Sequence, residues 1–182
     1  MSFDPDFDWK TISSEQVFDC KVFDISRYSR ANSRRQGEFY VLSGNDWVNI
    51  IPVTERNEIV MVEQFRHGTK EITLEIPGGL VDDTDADPLE AARREPNEET
   101  GFDSDKIEFL GTIAPNPAIQ SNHCHSYIAR NAYKAMDLNP DEFEELRVRL
   151  VHAREIPALL RSGVINHALV TVAFAFLALE YP

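Results

Sequence analysis

Residues 75–102 read EIPGGLVDDTDADPLEAARREPNEETGF, and no other stretch limits the fold as tightly. A strand-like segment, EITLEI, ends at Pro77-Gly78-Gly79. Asp87-Pro88-Leu89-Glu90 then supplies a helix start. Asp87 can cap, Pro88 suits the first turn, and Glu90 can close a capping box. Gly101 suits the position just past the last turn. These signals predict a helix from about Pro88 to Thr100. Strand, glycine turn and helix are thus tied together within one short window.

The helix shows Glu95, Glu98 and Glu99 at i, i+3 and i+4, on one face. Like charges at that spacing repel by about 0.2–0.5 kcal/mol a pair, so a cation is expected among them. Arg94, four residues before Glu98, is one such cation. A hard divalent ion is the other: magnesium takes oxygen ligands from a few carboxylates, waters and substrate phosphates. The glycine turn would let a backbone carbonyl approach the same ion. Pro96 lies inside this helix, where it removes a donor and crowds the carbonyl of Ala92 at a cost of about 3 kcal/mol.

The bulk composition narrows the class. A chain of 182 residues, 42% hydrophobic, builds one well-buried domain with a small appendage. Its net charge of −13 repels phosphate backbones, which disfavours nucleic acid and implies that a phosphate ligand arrives with a metal. Cys20 and Cys124 make no disulfide framework, so a reducing, cytoplasmic setting is expected. The start, MSFDPDFDWK, has no apolar core of the kind a signal peptide needs. The longest apolar run, Ala168 to Leu179, is too short to span a bilayer, so no membrane partner is expected.

Strands are predicted at 16–25 and 38–43, with the basic segment RYSRANSRRQG between them as a hairpin connection. Further strands are read in WVNIIPV, IVMVEQFR, EITLEI, KIEFLGTIA, CHSYIARN and LRVRLVHA. Two helices close the chain, at about 155–162 and 165–179. Strands first, a helix in the middle and a helix at the end give an α+β class. In HCHSY, alternation places His123 and His125 on one face, but no further ligand pair accompanies them to make a zinc site.

The glycine–helix window resembles the Nudix box, GX5EX7REUXEEXGU with U a bulky aliphatic residue. Gly79, Arg94, Glu95, Glu98, Glu99, Gly101 and Phe102 match it. Two positions depart. Asp85 stands where glutamate is usual, followed by one extra residue before Arg94, and Pro96 takes the first aliphatic position. The resemblance implies a Nudix fold, a mixed sheet between helices, in 46–182. It implies an antiparallel β arm in 1–45 through which such enzymes form a homodimer. It also implies a Mg²⁺-dependent pyrophosphohydrolase, with Mn²⁺ as a possible substitute. Glu95, Glu98, Glu99 and the Gly78 carbonyl would hold metal, and Arg94 would orient the glutamates. The base would come from a later acidic loop, as Glu142 or Glu144 in NPDEFEELRV.

DWVNIIPVT, VEQFRHGT, LEIPGGLVD and APNPAIQSNHCHSYIA resemble the branch that hydrolyses ADP-ribose and nucleoside diphosphate sugars. Pro117 is placed as that branch's marker proline, and Arg66 matches an arginine that grips the diphosphate or ribose. Glu75 could accept from a base or ribose hydroxyl, Trp47 could stack on a base, and Arg27 and Arg35 would give the arm a basic rim for phosphates. The alternative is a catalytically weak, nucleotide-binding module of the same fold, motivated by Pro96.

Overall fold

The computed structural model describes residues 8–136 and 145–180. The chain divides into two units, one of Met1–Asn45 with Ala114–Asn122, the other of Asp46–Ile113 with His123–Pro182. Among the described residues no helix is long and apolar enough to cross a membrane.

The first unit is a three-stranded antiparallel sheet of β1 (Lys10–Asp19), β2 (Asp24–Ala31) and β3 (Gln36–Ser43). The strand predicted at 16–25 is in fact the end of β1, a turn and the start of β2. The Cys20 amide closes that turn on the Phe23 carbonyl at 3.1 Å, with no glycine or proline to announce it. The basic segment read as a connection is mostly strand as well. Only residues 32–35 turn, where Asn32 Oδ1 accepts the amides of Arg34 and Arg35 at 2.9 and 3.0 Å. The 114–122 segment joins this unit through Leu42, whose amide donates to Ile119 and whose carbonyl accepts from Ser121.

The second unit holds an eight-stranded mixed sheet. Its strands are β4 (Trp47–Thr54), β5 (Glu58–Arg66), β6 (Glu71–Glu75), β7 (Gly78–Leu80), β8 (Phe102–Asp103), β9 (Lys106–Ile113), β10 (Cys124–Lys134) and β11 (Leu146–His152). The order is β11-β5-β4-β10-β8, with β6 on β5, β7 on β4 and β9 on β10. β4 and β10 run parallel, and the other pairs are antiparallel.

Side chains of the central strands alternate between two cores, as a strand's twofold period demands. Val48, Ile50, Tyr127 and Ala129 pack with Ala91 and Ala92 of helix α1 (Pro88–Thr100). Ile51, Ile59, Met61 and Ile128 pack on the opposite face with residues of α2 (Ile156–Ser162) and α3 (Ala168–Glu180). A sheet covered by helices on both faces is what the resemblance implies. The final helix begins three residues later than its predicted start at 165.

α1 has the predicted limits. Asp87 Oδ1 accepts the amides of Leu89 and Glu90 at 2.9 and 3.0 Å, and Gly101 closes the helix at φ 70°. Glu90 reaches back to the Ala86 amide at 2.6 Å, one residue before the usual partner in a capping box. The last turn carries no basic residue of its own, so Lys134 of β10 donates to the Thr100 carbonyl at 3.0 Å. Pro96 does not interrupt the helix. Its ring lies on the buried face with Ala92 and Glu99, and Thr100 Oγ1 donates to its carbonyl at 2.5 Å.

Candidate active site

β7 brings Gly78 and Gly79 beside Asn49 and Val48 of β4, and α1 lies over them. Neither glycine has positive φ. What they supply is close approach. A Cβ on Gly78 would sit 2.3 Å from the Val48 carbonyl oxygen. One on Gly79 would sit 2.4 Å from Glu95 Oε1. The Gly78 amide donates to Glu99 Oε2 at 3.1 Å, and the Glu99 side chain is buried. Two of the three predicted carboxylates are therefore docked on the two glycines.

Arg94 organises the rest. Its Nη1 donates to Glu95 Oε1 at 2.9 Å and to Glu98 Oε2 at 3.0 Å. Its Nε and Nη2 take both oxygens of Asp85 at 3.2 and 2.9 Å, and Nη2 also reaches the Leu80 carbonyl at 3.1 Å. Asp82 stands 3.3 Å from the same nitrogen. The acid of the glycine–helix loop is thus in use: Asp85 clasps the arginine, and the extra residue before Arg94 is absorbed in the loop. The hydrogen bonds from Arg94, more than any other cause, hold the Asp85 carboxyl below its ordinary range. A depressed carboxylate stabilises the fold above its unfolded pKa and loses that contribution as pH falls through the folded value. Asp85→Asn is therefore expected to lower the melting temperature at neutral pH, with the difference from wild type closing on acidification below the carboxylate range. A pH-independent difference in melting scans would show that the charge is not the cause.

Among the described residues, no three His, Cys, Asp or Glu side chains converge to hold a metal on their own. The oxygen donors present nevertheless fit magnesium, which usually binds through one or two carboxylates and completes its shell with water and substrate phosphate. Glu98, the most exposed of the three, is the one whose carboxylate faces solvent while paired to Arg94.

Arg66, itself partly exposed, meets the buried carboxylate of Glu75. Nε and Nη2 of Arg66 donate to the two Glu75 oxygens at 2.8 and 2.7 Å, and Thr73 Oγ1 adds a bond of 2.5 Å. Burial raises the Glu75 pKa, but Arg66 and Thr73 outweigh it, so the carboxyl is held below its ordinary value. Both Glu75 oxygens thus accept from Arg66. Trp47 opens β4, its amide bonded to the His123 carbonyl at 2.8 Å.

Arg27, Arg35 and Pro117 belong to the first unit. Arg27 is paired with Glu15 at 2.7 Å and Glu38 at 3.8 Å, so its charge is largely matched locally. Arg35 lies over the Trp9 ring at 5.8 Å, and Pro117 is exposed. Glu142 and Glu144 lie outside the described residues.

Sequence reasoning missed Asp46. Its carbonyl accepts the Val81 amide at 2.8 Å, just past the glycines, while its carboxylate takes the His123 amide at 2.7 Å and His125 Nε2 at 3.1 Å. His123 and His125 do share this partner, as hydrogen-bonding groups that fasten β10 to β4. Burial would raise the Asp46 pKa, and the bonds from His123 and His125 bring it below the ordinary value.

Residues 46–171 match the model of the NUDIX domain. The chain is 33% identical over 148 residues to a methanol dehydrogenase activator of Bacillus methanolicus, covering 77% of each chain. It is 28% identical over 162 residues to an ADP-ribose pyrophosphatase of Bacillus subtilis (strain 168), covering 81% of this chain and 85% of that one. A crystal structure of an ADP compounds hydrolase superposes with a TM-score of 0.83 at 22% identity, over 93% of this chain and 92% of the other. With its glutamates docked on a double glycine and braced by Arg94, the chain belongs to the Nudix family and is a hydrolase acting on pyrophosphate bonds.

Proposed function

We propose that this enzyme is a Mg²⁺-dependent pyrophosphohydrolase of ADP-ribose or a nucleoside diphosphate sugar, releasing a nucleoside monophosphate and a sugar phosphate. The observation that carries the reading is the seating of Glu95 and Glu99 against Gly79 and Gly78 from one helix. The relative of Bacillus subtilis, an ADP-ribose pyrophosphatase, supports the substrate class. Glu95, Glu99, Glu98 and the Gly78 carbonyl are the groups that would hold the ion. When bound, it neutralises pyrophosphate charge and lowers the pKa of a bound water. Arg94 orients the carboxylates of Glu95 and Glu98, as outer partners of metal ligands do. Arg66, its plane fixed by Glu75, offers a cation to the diphosphate. The proton leaving the attacking water goes to an acidic residue of the later loop, Glu142 or Glu144.

We further propose a homodimer formed through residues 1–45, because every residue of β1 is exposed, among them Ile12, Val17 and Phe18. A monomer mass in sedimentation equilibrium rules that out. The two free cysteines fit a reducing, cytoplasmic compartment.

The test is a panel of ADP-ribose, GDP-mannose and UDP-glucose, assayed with Mg²⁺, with Mn²⁺ and with chelator, and with products identified. Metal-dependent release of a nucleoside monophosphate supports the proposal. Tight nucleotide binding without turnover on any of the panel would establish the binding module instead.

A further inference from the structure

One side chain of the second unit is unexplained by the machinery above. His167 lies just before α3, with its Nε2 3.8 Å from Glu75 Oε2. Its Nδ1 is buried and has no hydrogen-bond partner. A buried polar atom without a partner is costly, so its presence asks for a reason. The oxygen it approaches is the one that accepts from Arg66 Nη2 at 2.7 Å. Two nitrogens of different chemistry therefore address one carboxylate oxygen. One is permanently charged and the other is charged only on protonation.

We propose that His167 is a proton-linked positioning residue that competes with Arg66 for Glu75, so that a diphosphate binds more tightly when the ring is protonated. The inference rests on the reading that Arg66 grips the diphosphate. With the ring neutral, Arg66 and Glu75 cancel, and the array carries no net charge. A proton on the imidazole adds one positive charge. It also draws Oε2 toward His167 and loosens one of the two bonds that commit Arg66. Both changes favour an anionic ligand.

The charged groups acting on the ring are Glu75 of β6 and Arg66 of β5, and α3 has no charged residue before Glu180. Burial lowers the His167 pKa first, Glu75 opposes this, and Arg66 adds to the lowering, with a net fall below the ordinary value. The neutral ring is therefore the resting form near neutrality, and the charged form is recruited by acid or by an anion.

The experiment uses the full chain with Mg²⁺ and a methylene-bridged ADP analogue, whose P–C–P link resists hydrolysis. Calorimetric Kd values are compared for wild type and His167→Gln at about pH 7.5 and about pH 5.5, a span that brackets ordinary histidine titration. Gln keeps a donor near the Nε2 position and cannot titrate. Wild type is expected to gain on the variant by about threefold or more on acidification, a coupling that is reciprocal by linkage. In NMR, the titration midpoint of the His167 ring must then rise when the analogue saturates. His167→Asn serves as a second amide if the first variant melts early. Binding with equal pH dependence in both sequences and an unmoved midpoint overturns the inference alone. No binding at either pH in either sequence overturns the nucleotide reading, and the inference with it.

Discussion

Glu99→Gln is expected to lower metal-dependent turnover by more than about 100-fold while leaving the fold intact. Loss of an outer partner of a metal ligand typically costs 10–100-fold, and a ligand itself should cost more. The substitution is nearly isosteric. Glu99 is 4% exposed and accepts the Gly78 amide at 3.1 Å, a bond that an amide oxygen can still accept. What is lost is the charge. Keeping a charge out of water is costly, so its replacement by a neutral amide of the same shape need not destabilise the protein. The measurements are kcat with a Mg²⁺ titration, set beside a thermal melt. Retained turnover in a protein that melts normally would remove Glu99 from the metal set. A collapse in melting temperature would make its role architectural.

The two glycines should respond to alanine in opposite ways, because their neighbours differ. At Gly78 the added methyl meets backbone, with the Val48 carbonyl oxygen at 2.3 Å and Asn49 Cα at 3.0 Å. Strand β4 cannot move aside without losing its pairing to β10. Gly78→Ala is therefore expected to cost about 3 kcal/mol of stability, the upper part of the range for overpacking. At Gly79 the methyl meets only the end of a side chain, with Glu95 Oε1 at 2.4 Å and Cδ at 2.5 Å. Glu95 is a flexible side chain that can swing away at the cost of its bond to Arg94. Gly79→Ala should therefore fold almost normally and lose Mg²⁺ affinity and turnover by about 10–100-fold. Chemical denaturation separates the pair. Equal stability losses would mean that Glu95 is as fixed as backbone. Unchanged activity in Gly79→Ala would mean that its carboxylate is free to leave the site.

How much of this was legible in the chain follows from the range of each interaction. Asp87, Pro88 and Gly101 act on neighbours within a turn, so the limits of α1 could be read directly. Glu95, Glu98 and Glu99 share a face because of helical spacing alone. The β1–β2 turn was hidden because apolar alternation continues through Cys20–Phe23 without a breaker. The β2 arginines resembled a loop, since a strand lacking a helix cover can be basic throughout. Asp85 was read as a spacing anomaly, because its use by Arg94 depends on how the 80–87 loop folds back over the helix. Asp46 and His167 were out of reach for another reason. Each meets its partner only after distant elements are placed, Asp46 through the β4–β10 pairing and His167 through the approach of α3 to β6.

That parallel pairing also has a kinetic side. Trp47 adjoins Cys124 in register, yet β5 to β9 and α1 all lie between them in the chain. Closing so long a loop is entropically slow, and contacts of this separation retard folding. The middle of the sheet cannot form on a ribosome until β10 has emerged, although all the carboxylates that crowd the glycines are made earlier. During that interval the acidic helix has no complete floor beneath it. Pulse-labelled refolding should accordingly show amide protection in β4 and β10 arriving together, and late.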